Sequence, residues 1–506
     1  MLVKIYGSAI HGIESKLITV EVNIDSGVGY HLVGLPDSAI KESNFRISAA
    51  LKNIGYKIPG KKITINMAPA DLQKEGSAYD LTIATGILAA SNQIKDDKIA
   101  DYLIMGELSL DGSLRPIKGV LPIAIQAKKD GFKGFILPKE NANEAAVVQD
   151  LAIYGLENIQ ELIDFFDDNL DLKPHKVDLE TEFNQLIHNY PYDFSEVKGQ
   201  ENVKRAMEIA AAGGHNIILI GPPGSGKTML AKRIASILPP MSLNEALETT
   251  QIHSVAGKLN KNALVTYRPF ASPHHLISDV ALVGGGSYPQ PGEISLAHNG
   301  VLFLDELPEF KRTVLEVMRQ PLEDREVTIS RAKFTVTYPA SFMLVASMNP
   351  SPCGYFPDDP KNTSSLQEMQ RYMNKISGPL MDRIDLHIEV NPVPFDDLSK
   401  ERNGEKSEKI RERVIKARKI QLERYQNQNI HYNAQMNAKE LDKHCELDET
   451  SKKLIKIAME KLNLSARAYD RILRVARTIA DLDTETKLNS KHIAEAIQYR
   501  SLDREQ

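Results

Sequence analysis

The sequence predicts an α/β fold followed by a helical C-terminal region, and three observations carry this prediction. Residues 217–220 are four apolar residues, three of them β-branched, which is typical of a buried strand. The loop at 221–228 fits the pattern G-x-x-x-x-G-K-[ST], and 229–238 has helical spacing. Upstream, strand patterns interleave with helical patterns, whereas the chain beyond 410 predicts four helices.

The loop at 221–228 has the composition of a phosphate-binding loop. Its glycines allow backbone N–H groups to point at phosphate oxygens, and the N-terminus of the following helix adds partial positive charge. Lys227 is expected to reach the terminal phosphates of a nucleotide, and Thr228 to supply a hydroxyl to Mg²⁺. The predicted nucleotide contacts are Gly221, Pro222, Pro223, Gly224, Ser225, Gly226, Lys227 and Thr228.

Length and composition exclude several classes of protein. The 506 residues suggest about three domains, and no apolar run approaches the ~18 residues of a membrane span. The N-terminus lacks the apolar core of a signal peptide, and two cysteines cannot form a disulfide framework, so a reducing cytoplasm is expected. Lysine and arginine total 62 and aspartate and glutamate total 67, a net charge of −5. Nucleic-acid binding would therefore depend on local patches.

The first 172 residues are predicted to form a compact α/β domain. Strand and helix patterns interleave in it, the strands at 17–24 and 63–67 and the helices at 38–51, 80–90 and 121–129. An acidic stretch with Pro174 and Pro191 on either side follows the domain. It is predicted to be a solvated linker over 173–192.

This domain resembles the amino-terminal domain of the ComM/YifB family of magnesium-chelatase-like AAA+ ATPases. The resemblance runs through the motifs GLPDSA at 34–39, PADL at 69–72, KEGSAYDL at 74–81 and GELSLDG at 106–112. It implies a Lon-protease-like (S5-like) α/β fold for this part of the chain.

Lon-type catalysis needs a serine nucleophile that is activated by a lysine. Residues 74–77 resemble the serine loop of Lon, and counted along that loop without a gap, the nucleophile position falls on Ala78. The segment 116–121 places Leu121 where Lon carries its lysine. Ser77 is therefore predicted to be a loop serine. The domain is predicted to be non-proteolytic, with a role in assembly or ligand contact.

The resemblance continues through an AAA+ α/β core, predicted over 193–393. Residues 194–200 resemble the leading segment of AAA+ ATPases, which implies that Val197 and Gly199 contact adenine. The apolar pattern at 300–306 ends in two carboxylates, and a Mg²⁺-nucleotide site needs one carboxylate near the metal and another to polarise the attacking water. Because neighbouring positions at a strand end point to opposite sides, Asp305 is assigned to the metal, with Thr228, and Glu306 to the water.

Two further residues are assigned to hydrolysis by resemblance. Asn349 ends the strand pattern at 342–349 and resembles the sensor-1 residue that orients the attacking water, although it is alternatively a turn asparagine before Pro350. The segment 377–385 resembles the arginine-finger segment of the chelatase and MCM branch. This implies that Arg383 stabilises transition-state charge on a neighbouring subunit's γ-phosphate. The alternative is a structural pair of Arg383 with Asp382 or Asp385.

Residues 268–298 match the helix-2 insert region of this family, with Ala271 where a basic residue is expected. They include the adjacent pair His274 and His275. Adjacent histidines in an extended strand point apart, and no nearby Cys/His set completes a tetrahedral metal site. Surface or loop-packing roles are therefore predicted for both.

The pattern at 326–337 predicts a hairpin, which resembles the pre-sensor-1 hairpin of related rings. Arg331 and Lys333 on it would contact a DNA backbone, or alternatively they are solubilising charges. Family members often carry several cysteines between 349 and 372, resembling a zinc site. This chain has Cys353 alone there, so no structural zinc is predicted.

After a polar linker at 394–409, the helices of 410–506 are predicted to form the small lid of the AAA+ module. Asn437, Asp448 and Ser465 are the predicted N-caps. The segment 464–471 resembles the start of the sensor-2 helix. This implies that Arg467, or alternatively Arg471, reaches the γ-phosphate within the same subunit.

The family resemblance implies a cytoplasmic homo-hexameric ring that uses ATP and Mg²⁺. It further implies DNA as the partner, and DNA translocation and branch migration during natural transformation as the function. Two other functions stay open, a chelatase-type motor and a protein-remodelling ATPase that acts on a protein partner. The Lon-like leading domain argues against the first, since a dedicated chelatase motor starts at its ATPase module.

Overall fold

The computed structural model describes residues 1–178, 183, 190–259, 263–286, 289–331, 334–394, 404–426, 428, 430–462 and 464–500. The chain forms two compact units, the first made of Met1–Leu186 and Leu243–Thr266 and the second of Ile187–Ser242 and Tyr267–Gln506. Each unit has its own core of buried aliphatic and aromatic side chains. Among the described helices, none combines the length and the apolar character needed to cross a membrane.

A mixed β-sheet is the centre of the first unit. The strands described in this unit are β1 Leu2–His11, β2 Glu14–Asp25, β3 Gly29–Val33, β4 Lys62–Ala68, β5 Tyr102–Ile104, β6 Glu107–Leu108, β7 Leu114–Arg115, β8 Gly134–Pro138 and β9 Ala152–Leu156. The main sheet has the order β3-β4-β2-β1-β5-β8-β9. In β2, Ile18, Val20 and Val22 are fully buried while their neighbours are more exposed. This pattern confirms the alternation predicted at 17–24.

Helices cover this sheet and agree with the predicted helical patterns. The central one, Asp80–Ala90, is buried along its whole length, as its almost wholly apolar sequence predicts. Asp37 caps another helix by accepting a hydrogen bond from the backbone N–H of Ile40. The helices described among residues 1–178 are Ser38–Asn53, Asp80–Ala90, Val120–Lys129, Ala142–Ala145 and Ile159–Phe166.

A segment from the middle of the chain also belongs to the first unit. Its helix Leu243–Val255 contacts the helix Val120–Lys129, and Ala263 and Leu264 are buried in one cluster with Leu121. The backbone N–H of Gly119 donates to the carbonyl of Ser254 at 3.1 Å. The predicted boundaries placed this segment inside the ATPase core. Its burial depends on partners more than 100 residues away, which local patterns do not reveal.

The second unit contains a parallel sheet whose four-residue strands are fully buried except at β18. The strands described in this unit are β10 Ile217–Ile220, β11 Phe270–Ala271, β12 Gly284–Gly285, β13 Gln290–Pro291, β14 Val301–Leu304, β15 Glu326–Arg331, β16 Phe334–Pro339, β17 Met343–Met348 and β18 Leu386–Glu389. The main sheet has the order β11-β14-β17-β10-β18, all neighbours parallel. The phosphate loop therefore shares the carboxyl edge of the sheet with Asp305 and Asn349.

The helices around this sheet follow the predicted order. The helix after the phosphate loop is shorter than predicted, since Lys227–Arg233 continues as the 3₁₀ turn Ile234–Ile237. The strands β15 and β16 form the predicted antiparallel hairpin. Apart from Leu243–Val255, which belongs to the first unit, the helices described between β10 and β18, together with the one before β10, are Glu201–Gly213, Lys227–Arg233, Asp279–Val283, Glu293–Leu296, Arg312–Val317, Arg319–Asp324, Leu366–Met373 and Gly378–Met381.

The C-terminal region is helical, as predicted, but the described residues contain five helices instead of four. The additional one, Ser490–Gln498, is capped by Asn489, whose side chain accepts from the backbone of Lys491 and His492. Asn437, Asp448 and Ser465 act as N-caps as predicted. The helices are Ser407–Arg424, Ala438–His444, Glu449–Lys461, Ala466–Leu482 and Ser490–Gln498.

Candidate nucleotide-binding site

The glycines of the phosphate loop meet two separate requirements. Gly224 and Gly226 have φ angles of 78° and 92°, which side chains disfavour. At Gly221, an added Cβ would lie 2.2 Å from the carbonyl oxygen of Val390. Backbone curvature and close strand packing therefore fix the loop before any ligand binds.

Lys227 is buried within the loop and bonded to three oxygens. Its ammonium donates to the carbonyls of Gly221 at 2.7 Å and Pro222 at 3.0 Å, and to Oδ1 of Asn349 at 3.2 Å. Burial lowers the pKa of Lys227, while the charges of Asp305 and Glu306 oppose that shift. The structure thus brings together Lys227 and Asn349, which the sequence predicts to act on the same phosphate.

Asp305 is held by two hydroxyl groups. Thr228 Oγ1 donates to its Oδ2 at 2.7 Å, and Ser347 donates to its Oδ1. The described residues hold no group of three His, Cys, Asp or Glu side chains that could bind a metal by themselves. A hydroxyl and one carboxylate nevertheless fit Mg²⁺, which takes oxygen ligands and usually completes its shell with water and substrate phosphates. Ser347 was missed from the sequence; its signal is a polar residue inside a buried strand.

Glu306 points toward different partners from Asp305. It has φ 55° and ψ 51°, a left-handed conformation that is uncommon for a residue with a side chain. Its carboxylate Oε2 lies 3.5 Å from Nδ1 of His275. The surface or loop-packing role predicted for His275 is therefore incomplete, because its ring contacts the predicted water activator.

The leading segment is joined to the phosphate loop. Val197 is buried and Gly199 has a φ of 60°. Next to them, the side-chain amide of Gln200 donates to the carbonyl oxygens of Ser225 at 3.0 Å and Asn391 at 3.1 Å. Gln200 was missed from the sequence, where a single polar residue at a helix start carries no distinct signal.

Arg383 lies at the amino ends of the parallel strands, which is the edge of the sheet opposite to the phosphate loop at their carboxyl ends. It precedes β18, which pairs in parallel with β10, whereas the loop follows β10. Four residues at roughly 3.3 Å each separate the two edges by about 13 Å. Arg383 bonds to Glu323 and to the carbonyl of Pro379, instead of the Asp382 or Asp385 pairs considered from the sequence.

Arg467 lies at the same edge as Arg383. Its guanidinium donates to Asp382 Oδ2 at 3.0 Å, and its side chain is 70% exposed. The fallback residue Arg471 donates to the carbonyl of Ile384 at 3.3 Å and lies 3.8 Å from Asp385. Both placements differ from the predicted same-subunit role, because the phosphate loop of the same chain is at the other edge.

A buried polar cluster fixes the edge that carries Arg383. Asp385 lies 3.2 Å from Nδ1 of His215, whose Nε2 is 2.8 Å from the hydroxyl of Thr478. Burial alone would raise the pKa of Asp385, but its hydrogen bond to His215 and nearby positive charges hold that pKa below its ordinary value. The cluster joins the start of β18 to the long helix Ala466–Leu482.

Comparison with known proteins identifies the family of this chain. Family models match almost the whole chain: "Magnesium chelatase, subunit ChlI" at 193–398, "Subunit ChlI of Mg-chelatase" at 20–141 and "Magnesium chelatase, subunit ChlI C-terminal" at 404–500. Competence protein ComM of Haemophilus influenzae is 45% identical over an alignment of 506 positions, which covers 98% of this chain and 97% of that protein. The chain belongs to the ComM/YifB family.

Two other relatives support and extend this assignment. The uncharacterized protein YifB of Escherichia coli is 43% identical over 495 residues, which cover 97% of this chain and 96% of that protein. Lon protease 2 of Bacillus subtilis is 27% identical over 154 residues, 29% of this chain and 28% of that protein. The magnesium-chelatase-like AAA+ fold and a partial similarity to Lon are thus both features of this ComM/YifB member.

The Lon-like motif of this family member does not bring a serine and a lysine together. The Ser77 hydroxyl donates to the carboxylate of Glu107, and the Lys74 ammonium donates to the carbonyl of Pro69. Leu121, at the predicted lysine position, is fully buried. A non-proteolytic domain stays our prediction, and these contacts are consistent with it.

Glu75, which lies between Lys74 and Ser77 in this motif, offers a test of local electrostatics. Burial, with a smaller effect of the negative charge on Asp37, raises the pKa of Glu75 to about 8. As pH rises from 4.5 toward 8, the unfolded chain loses this proton first, so the folded state loses stability and the full penalty applies above about 8. Glu75→Gln should therefore raise the thermal unfolding midpoint at pH 8.5 more than at pH 5. The exposed Glu140→Gln serves as control, and a shift equal at both pH values would contradict the prediction.

The two residues predicted to contact DNA are Arg331 and Lys333. Arg331 is exposed at the end of β15, and Lys333 lies outside the described residues.

Cys353 is the cysteine at the position where family members carry a possible zinc site. Hydrogen bonds lower its pKa to about 6, and the bond with Ser351 has the largest effect, followed by that with Ser364. The absence of structural zinc stays a prediction.

Proposed function

We propose that this chain is an ATPase whose active site is completed by a second copy of itself. The observation that carries this proposal is the parallel pairing of β10 with β18. Because Arg383 and the phosphate loop lie at opposite sheet edges, one chain cannot bring both to the same γ-phosphate. A neighbour in a ring can, since its Arg383 edge would then face the first chain's loop.

Each residue of the carboxyl edge has a distinct role in this proposal. Lys227 binds the terminal phosphates of ATP, and Thr228 and Asp305 hold Mg²⁺, which when bound neutralises phosphate charge. Glu306 accepts a proton from the attacking water, and Asn349 orients that water. Val197 and Gly199 contact adenine.

The neighbouring copy contributes positive charge to the same site. Arg383 stabilises the charge that develops on the γ-phosphate during transfer to water. Arg467, held beside it by Asp382, acts from the same neighbour and not from within the subunit. We propose a cytoplasmic homo-hexamer, by resemblance to the family.

We further propose DNA as the substrate that the ring moves. The support is the near full-length similarity to a protein named competence protein ComM, together with the exposed Arg331 on the hairpin β15–β16. Translocation and branch migration of DNA would be the ComM-like function. A chelatase-type motor and a protein-remodelling ATPase are the competing functions.

The experiment measures DNA binding and ATP hydrolysis with single-stranded, duplex and forked DNA at several salt concentrations. We expect forked DNA to stimulate hydrolysis most. Arg331→Ala should reduce the slope of log binding constant against log salt by about 1, whereas the exposed Lys456→Ala should not. ATPase activity that no DNA changes, but that a protein fraction stimulates, would contradict DNA as the substrate.

A further inference from the structure

The side chain of His275 lies beside the carboxylate of Glu306. Its Nδ1 lies 3.5 Å from Glu306 Oε2, and the two side chains are 28% and 55% exposed. Glu306 has no other described side chain within ion-pair or hydrogen-bond distance of its carboxylate. Within this part of the chain, His275 is therefore the group able to orient that carboxylate.

Two aromatic rings lie beside the ring of His275. The ring centroid of His274 is 4.1 Å away, and that of Phe310 is 6.4 Å away with an angle of 79° between the ring planes. Nδ1 of His274 accepts a hydrogen bond from the backbone N–H of Leu276 at 3.3 Å, which fixes that supporting ring. Phe310 is 3% exposed and closes the turn that begins at Glu306.

Glu306 needs such a partner because its own side chain is otherwise unrestrained. Its backbone N–H is bonded to Asp305 Oδ1 at 3.2 Å and Ser347 Oγ at 3.4 Å, so the main chain is fixed. A half-exposed glutamate still samples many rotamers, and ordering it has an entropic cost. A base that acts on water is effective only when it is oriented, commonly by a third group.

We infer that His275 is a positioning residue that orients Glu306 for hydrolysis. The inference rests on the proposed function of Glu306 as the water activator. His275 touches neither ATP nor water; its Nδ1 faces the carboxylate at 3.5 Å and limits the rotamers of the Glu306 side chain. The insert region thereby becomes part of the hydrolytic site.

The test measures steady-state hydrolysis and ATP binding of His275→Ala, His275→Asn and the exposed-histidine control His431→Ala. We expect His275→Ala to lower kcat roughly 10- to 100-fold with little change in KM or in ATP binding. His275→Asn should recover several-fold of that loss, because the asparagine amide nitrogen reaches about as far as Nδ1. His431→Ala should behave as the wild type.

The double variant His275→Ala/Glu306→Gln separates positioning from general damage. If His275 acts through Glu306, the double variant should hydrolyse ATP as slowly as Glu306→Gln alone. A further loss in the double variant, an unchanged or raised kcat in His275→Ala, or no advantage of asparagine over alanine would overturn the inference. These results would leave the proposed function intact if Glu306→Gln is inactive. Retained hydrolysis in Glu306→Gln would overturn both.

Discussion

Replacing Glu306 with glutamine should leave ATP binding intact and lower the hydrolysis rate by about 10²- to 10⁴-fold. The amide keeps the size of the side chain and the left-handed backbone at this position, but it cannot accept a proton from water. Lys227, Thr228 and Asp305, which bind phosphate and metal in our proposal, are unaffected. Nucleotide affinity and single-turnover hydrolysis measured on the same preparation test this.

A matched control lies three residues further along the chain. Glu309 is 45% exposed and pairs with Lys375 at 3.1 Å, so Glu309→Gln removes a carboxylate from the same turn without touching Asp305 or Glu306. It should retain most of the hydrolysis. Near-normal turnover in Glu306→Gln would show that Glu306 does not accept the proton from the attacking water.

Replacing Arg383 with alanine should lower hydrolysis by about 10³-fold or more, because an arginine finger contributes at least that much in related chemistry. ATP binding in the same chain should persist, since Arg383 lies at the edge of the sheet opposite to the phosphate loop. The exposed Arg371, on the helix Leu366–Met373, gives the control Arg371→Ala. Loss of nucleotide binding in Arg383→Ala, with assembly preserved, would contradict the proposed placement.

The features that sequence analysis could predict depend on local patterns. The strand at 217–220, the glycine loop and the helix after it follow from adjacent residues, and the structure has the same order. The pairing of Thr228 with Asp305 was predictable because parallel strands present their carboxyl ends at one edge. The position of Asn349 beside Lys227 could be predicted by the same reasoning, because Asn349 follows the neighbouring strand β17.

The features that were missed depend on contacts between distant parts of the chain. His275 meets Glu306 because an insert folds back on the turn after β14, and nothing in a pair of histidines specifies that partner. The segment 243–266 joins the first unit through burial against Leu121. The position of Arg467 at the amino ends of the strands depends on where the helix Ala466–Leu482 packs. The local sequence predicts that helix but not its packing.

Mixing two inactive variants tests the shared site most directly. Lys227→Ala lacks a functional phosphate loop but keeps Arg383, and Arg383→Ala has the opposite defect. When mixed rings form, some interfaces pair an intact loop with an intact arginine, so ATP hydrolysis should reappear and reach a maximum near equal amounts of the two chains. If the mixture stays as inactive as each variant while mixed assembly is demonstrated, ATP is not hydrolysed between two copies of this chain.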